Sequence, residues 1–130
     1  MNRRERRKHK KSSAALVNNN NELIKAIQYH TAKDYKNAEQ SYLKVISKDP
    51  NNYNGLRHIG ILYHDLQQYK SSIQYLDKAI NLQPSVPDAY NNLGLVYFTN
   101  DEIELSRKLF EKSFELNNSY IPAVNNLTRT

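Results

Sequence analysis

A chain of 130 residues with 38% hydrophobic side chains has room for one domain's core, and no stretch is apolar over the roughly 20 residues that crossing a bilayer takes. It has no cysteine, which excludes disulfides and thiolate metal sites and leaves the fold indifferent to redox surroundings. The net charge of +6 suggests a polyanion partner until it is located: residues 1–11 hold seven of the 19 bases and one of the 13 acids, leaving 12 of each for the rest.

Residues 1–18 are expected to form a basic disordered tail, because Arg3, Arg4, Arg6, Arg7, Lys8, Lys10 and Lys11 repel one another. These seven residues are the candidate polyanion-binding set. The apolar patch that follows, Ala14 to Val17, is too short for an export signal. The basic run also lacks the apolar spacing of a mitochondrial presequence, so a cytoplasmic location is expected.

From Glu22 the apolar residues take a helical period. Leu23, Ile24, Ile27 and Tyr29 mark a first helix, and Lys33-Asp34 a turn. Tyr35, Ala38, Tyr42, Val45 and Ile46 mark a second helix, which stops before Pro50. Leu56, Ile59, Gly60 and Tyr63, then Tyr69, Ile73, Leu76, Ala79 and Ile80, repeat this pattern up to Pro84. A third pair starts at Pro87, where proline suits a first helical turn, and carries Tyr90, Leu93, Gly94 and Tyr97, then Ile103, Leu105, Leu109, Phe110 and Phe114. Residues 121–130 begin a fourth unit or a capping segment.

The landmarks recur at an interval of 34 residues: Pro50 and Pro84; Ala26, Gly60 and Gly94; Tyr29, Tyr63 and Tyr97; Tyr35, Tyr69 and Ile103. Small residues are placed where two helices of a hairpin cross, prolines where the second helix must end. Most of the ten tyrosines fall at these core positions, which favours packing over base stacking. Asparagine pairs such as Asn51-Asn52 and Asn117-Asn118 lie at junctions, where asparagine caps helices and tolerates turns.

This pattern resembles the tetratricopeptide repeat over about residues 19–127. The resemblance implies an all-α, right-handed solenoid of three helix-turn-helix repeats, residues 19–52, 53–86 and 87–120, with a partial fourth helix. Ser72 and Ser106 depart from the family's usual alanine, and Asn118 stands where proline is expected.

Catalysis finds no support: there is no nucleophile-base pair, glycine-rich phosphate loop or metal-spaced ligand set, and Asp101, Glu102 and Glu104 suit a helix start. No cofactor is expected. What the resemblance implies instead is a concave groove lined by the first helix of each repeat. Carried over, its positions are Ile27, Ile61 and Leu95 in one column, His30, His64 and Phe98 in a second, and His58, Asn92 and Asn126 in a third. The family's carboxylate-clamp positions hold Leu23, Ile27, His58, Asp88 and Asn92, so a chaperone C-terminus would find no lysine or arginine there. Asn92 and Asn126 look like the asparagine ladder in the repeat arm of O-linked N-acetylglucosamine transferases, where an amide grips a peptide backbone.

The expected function is a non-catalytic protein-interaction scaffold that takes a largely uncharged peptide with apolar anchors. Two alternatives are the substrate-recognition arm of a larger glycosyl- or sulfotransferase, and a nucleic-acid or ribosome-associated adaptor acting through the basic tail.

Overall fold

A computed structural model describes all 130 residues. It contains seven helices: α1 (Arg3–Thr31), α2 (Tyr35–Lys48), α3 (Tyr53–Asp65), α4 (Tyr69–Leu82), α5 (Pro87–Thr99), α6 (Ile103–Leu116) and α7 (Ile121–Leu127). They fall into two units, Met1–Pro50 and Asn51–Thr130. No helix is long and apolar enough to cross a membrane.

The first unit is a hairpin of α1 and α2 around Ala26, Ala38, Tyr42 and Val45, all fully buried. Its N-terminal part corrects the expectation of a disordered tail, because residues 3–18 belong to the 29-residue helix α1. The cause is local. Asn2 caps the helix by accepting a hydrogen bond from the Glu5 amide (2.9 Å), and the Glu5 carboxylate accepts one from the Asn2 amide (3.0 Å). Arginine, lysine, alanine and leucine, the main residues that follow, all favour helix. Within the asparagine run, Asn19 is buried and donates to the Val45 carbonyl, so it ties α1 to α2 instead of making a junction.

The second unit stacks two full hairpins, α3/α4 and α5/α6, and adds α7. Asn52 caps α3 through the Gly55 amide (2.8 Å), and Pro87 opens α5. A Cβ added at Gly60 would lie 2.7 Å from Leu76 Cγ, and one at Gly94 would lie 2.5 Å from Phe110 Cε1, so both glycines mark close crossings. Between the hairpins, Leu76, Leu93 and Val96 form a buried cluster against Tyr69, Ile73, Ile80, Tyr97 and Leu109. Burial of each large apolar side chain contributes about 1.5–3 kcal/mol, which beats the weak intrinsic helicity of 13- and 14-residue segments. Helix α6 ends without the expected proline, because the Asn117 side chain accepts from the Ser119 amide (3.0 Å) and turns the chain.

The tight turns share one device. Lys33, Gln67 and Asp101 all have positive φ, 61°, 60° and 66°, at successive repeat positions. None is glycine, so each carries a left-handed strain of about 1 kcal/mol that the flanking helices must hold in place.

Candidate peptide-binding face

In the second unit, α3 and α5 each present a row of side chains at helical spacing. Helix α3 carries His58, Ile61 and His64; helix α5 carries Asn92, Leu95 and Phe98. All six are half-buried, whereas their neighbours Ile59, Leu62, Leu93 and Val96 are buried in the core. The helical period explains the division, since positions about 100° apart turn one neighbour inward and the other onto the face.

Polar contacts join the two rows. Arg57 Nη1 donates to Asn92 Oδ1 at 3.0 Å, and Arg57 Nη2 lies 3.3 Å from His58 Nε2. Arg57 Nε is buried and makes no hydrogen bond of its own. At the other end His64 Nε2 meets Thr99 Oγ1 at 2.9 Å. Burial, opposed by the nearby Asp65 carboxylate, lowers the His64 pKa below its ordinary 6.5, so its ring is neutral at physiological pH. Burial raises the pKa of Tyr53, opposed by the hydrogen bond its hydroxyl accepts from the Ala89 amide and by Arg57; burial also raises that of Tyr120, with Asp88 adding to the shift and Arg57 opposing it. Both phenols therefore stay protonated and can only donate or accept hydrogen bonds.

Asn126 does not join this face. It is buried, its Nδ2 donates to Asn91 Oδ1 at 2.8 Å, and its Oδ1 accepts from Arg129. The asparagine ladder is thereby reduced to Asn92, and Asn126 serves instead to seat α7 on α5. Ile27 and His30 lie on α1 in the other unit; Ile27 is half-buried, and His30 Nδ1 is 3.1 Å from the Tyr42 hydroxyl. Of the acidic cluster, Glu102 stands at the N-cap position of α6 with its side chain accepting from Asn100 (3.4 Å) and making no capping bond, and Glu104 pairs with Arg107 (3.1 Å).

Two cations on the face were missed. Arg57 is one, and Arg129, stacked over the Phe98 ring at 5.0 Å, is the other. A signal for the first was present: the clamp positions counted one repeat later are Arg57, Ile61, Asn92, Pro122 and Asn126. The expectation that a carboxylate has no cation to meet was drawn from the earlier register alone, and it does not hold for α3 and α5.

These hairpins, crossings and in-phase turns define a helical repeat protein. A TPR repeat model matches residues 60–101, and a tetratricopeptide repeat model matches residues 24–52 and 87–120. The chain belongs to the tetratricopeptide repeat family. No curated protein matches it in sequence. Among solved structures, the first TPR of Spaghetti (RPAP3) bound to HSP90 peptide SRMEEVD is 25% identical, with a TM-score of 0.78 over 88% of each chain. The first TPR domain of human RPAP3 is also 25% identical, with a TM-score of 0.79 over 88% of this chain and 87% of that one. The Thermobaculum terrenum O-GlcNAc transferase superposes with a TM-score of 0.82 at 22% identity, over 87% of this chain but 22% of the enzyme. That last likeness is one of fold.

Proposed function

We propose that this chain is a non-catalytic interaction scaffold whose second unit holds a peptide along the α3–α5 face. The observation that carries the reading is the double row of half-buried side chains, Ile61 and Leu95 with His64 and Phe98, bounded by the Arg57–Asn92 pair. Half-buried apolar groups offer anchors without being committed to the core, and Asn92 can hold a peptide backbone through its amide. The RPAP3 repeat bound to SRMEEVD, at 25% identity, supports a peptide as the ligand class. It also places an acidic peptide terminus among the ligands to be tested, with Arg57 and Arg129 as the cations that would meet it.

Fluorescence anisotropy with labelled SRMEEVD, its C-terminally amidated form and an uncharged apolar peptide tests this directly. Affinity is expected on the order of micromolar, because an extended peptide must be ordered on an open surface. Asn92→Ala weakens binding by about 0.5–1.5 kcal/mol, and Leu95→Asp abolishes it while the helical signal persists. Equal binding of the amidated and free forms would show that the terminal carboxylate is not what the face recognises, and tighter binding of the apolar peptide than of either would favour an uncharged ligand. No binding of any of the three, or unfolding by Leu95→Asp, would remove the face as a site.

A further inference from the structure

Helix α1 carries a second surface, independent of the α3–α5 face. At roughly 1.5 Å per residue α1 is about 43 Å long and its hairpin partner α2 about 21 Å, so half of α1 has no helix alongside. Residues 1–18 are exposed throughout. Their charges oppose helix formation: Arg3 lies within one turn of Arg6 and Arg7, Arg4 of Lys8, and Arg7 of Lys10 and Lys11. The positive end of the helix dipole repels the same groups. The one acid, Glu5, is already bonded to the Asn2 amide.

The bases are not scattered round the helix. At about 100° per residue the seven occupy an arc of about 200°, leaving Glu5 and His9 on the opposite side. They make two ridges. Arg3, Arg6, Arg7 and Lys10 line one recess; Arg4, Lys8 and Lys11 follow the second ridge at i, i+4 and i+7. A flat anionic surface can be met by at most half of a helix's circumference, whereas a helix lying in a groove meets charge on both flanks. Between Asn2 and Ala14 there is no apolar residue to enter a lipid surface. Four of the seven are arginines, whose guanidinium fork matches phosphate. The major groove of B-form DNA, about 12 Å wide, admits a helix, while that of A-form RNA does not.

We propose that the N-terminal half of α1 is a sequence-independent binding element for duplex DNA, lying in the major groove with one basic ridge against each phosphate wall. Bound phosphate removes the repulsion along the helix, so DNA and helix stabilise each other.

The test uses the full chain and a labelled DNA duplex of about 20 base pairs, titrated at salt concentrations from about 50 to 200 mM. The logarithm of affinity should fall against the logarithm of salt with a slope of about −4 to −6, near −0.9 per neutralised phosphate. Replacing either ridge by glutamine, Arg3, Arg6, Arg7 and Lys10 or Arg4, Lys8 and Lys11, should flatten that slope by about 0.9 per base removed. Far-UV circular dichroism followed on heating should show the helix of residues 3–18 persisting to higher temperature with DNA than without. The exchange R7H/H9R keeps every charge but moves one base off the arc, and should weaken binding severalfold. Parental affinity in R7H/H9R, an unchanged slope after loss of a ridge, equal binding of duplex RNA, or tighter binding to phosphatidylserine vesicles would each overturn the proposal.

Discussion

The second and third hairpins are built on the same plan and solve its closest contact differently. In α3/α4, Gly60 faces Leu76, and the Ser72 hydroxyl donates to the Gly60 carbonyl at 2.6 Å. In α5/α6, Gly94 faces Phe110, and the hydroxyl of Ser106, buried at the same repeat position, has no partner. A larger ring at the crossing goes with a lost hydrogen bond on the same helix. The repeat thus keeps a glycine at the crossing but changes both the side chain that faces it and the hydrogen bond beside it, and the two hairpins should respond unequally to matched substitutions.

The largest difference should come at the glycines. Gly94→Leu puts a branched side chain against a fully buried ring and is expected to cost roughly 1–3 kcal/mol or more. For alanine the contrast sharpens: at Gly60 the atoms met first are the Cγ and Cδ2 of Leu76, part of a flexible side chain, while at Gly94 they are rigid ring atoms. Gly60→Ala should therefore destabilise less than Gly94→Ala, and Phe110→Leu should recover part of the latter loss in a double-mutant cycle. Thermal melting decides it, since about 1 kcal/mol moves the midpoint of a chain this size by several degrees. If Gly94→Leu melts with the parent, the close crossing is misassigned.

The serines should separate the hairpins by sign. Ser72→Ala removes a buried hydrogen bond and should cost about 0.5–1.5 kcal/mol. Ser106→Ala removes a hydroxyl that is buried without a partner, and should be neutral or stabilising. Denaturant midpoints of the two variants that shift equally in one direction would erase the distinction drawn between the hairpins.

The comparison also shows where the residues could be read in advance. Tyr35, Tyr69 and Ile103 begin α2, α4 and α6 as their phase implies, and Gly60 and Gly94 sit at crossings, because these roles depend on period and size alone. The helix over residues 3–18 was hidden by charge: repulsion argued for disorder, while the counter-signal was a single Asn2–Glu5 capping box. Asn126 keeps the repeat phase of Asn92, and its bond to Asn91 repeats the Arg57–Asn92 contact one unit later; what the period does not carry is that this amide is buried once α7 packs on α5. Nor did Lys33, Gln67 and Asp101 announce their left-handed turns, since no glycine marks them. Arg57 reached the face through a neighbour on another helix, a contact that no single stretch of sequence contains.

The smallest expected difference is in pH response, and it too divides the hairpins, because His64 of the second is replaced at the repeat position by Phe98 of the third. Burial lowers the folded-state pKa of His64 below 6.5, while Asp65, the one charged group acting on it, pulls the other way; the Tyr69 ring at 5.9 Å and the Thr99 hydroxyl are uncharged neighbours. As pH falls through 6.5 the unfolded chain takes up this proton before the folded one. The contribution is therefore fully present above 6.5 and is lost on acidification through the lower folded-state value. Denaturant unfolding at pH about 7.5 and about 5.5 should show the parent losing stability, and His64→Phe losing less. Thr99 tolerates the change because its hydroxyl also donates to the Leu95 carbonyl at 2.9 Å. Hydrogen exchange should place the acid-induced loosening in α3 more than in α5. An acid response that persists unchanged in His64→Phe would move its origin to other groups and leave the two hairpins alike in this respect.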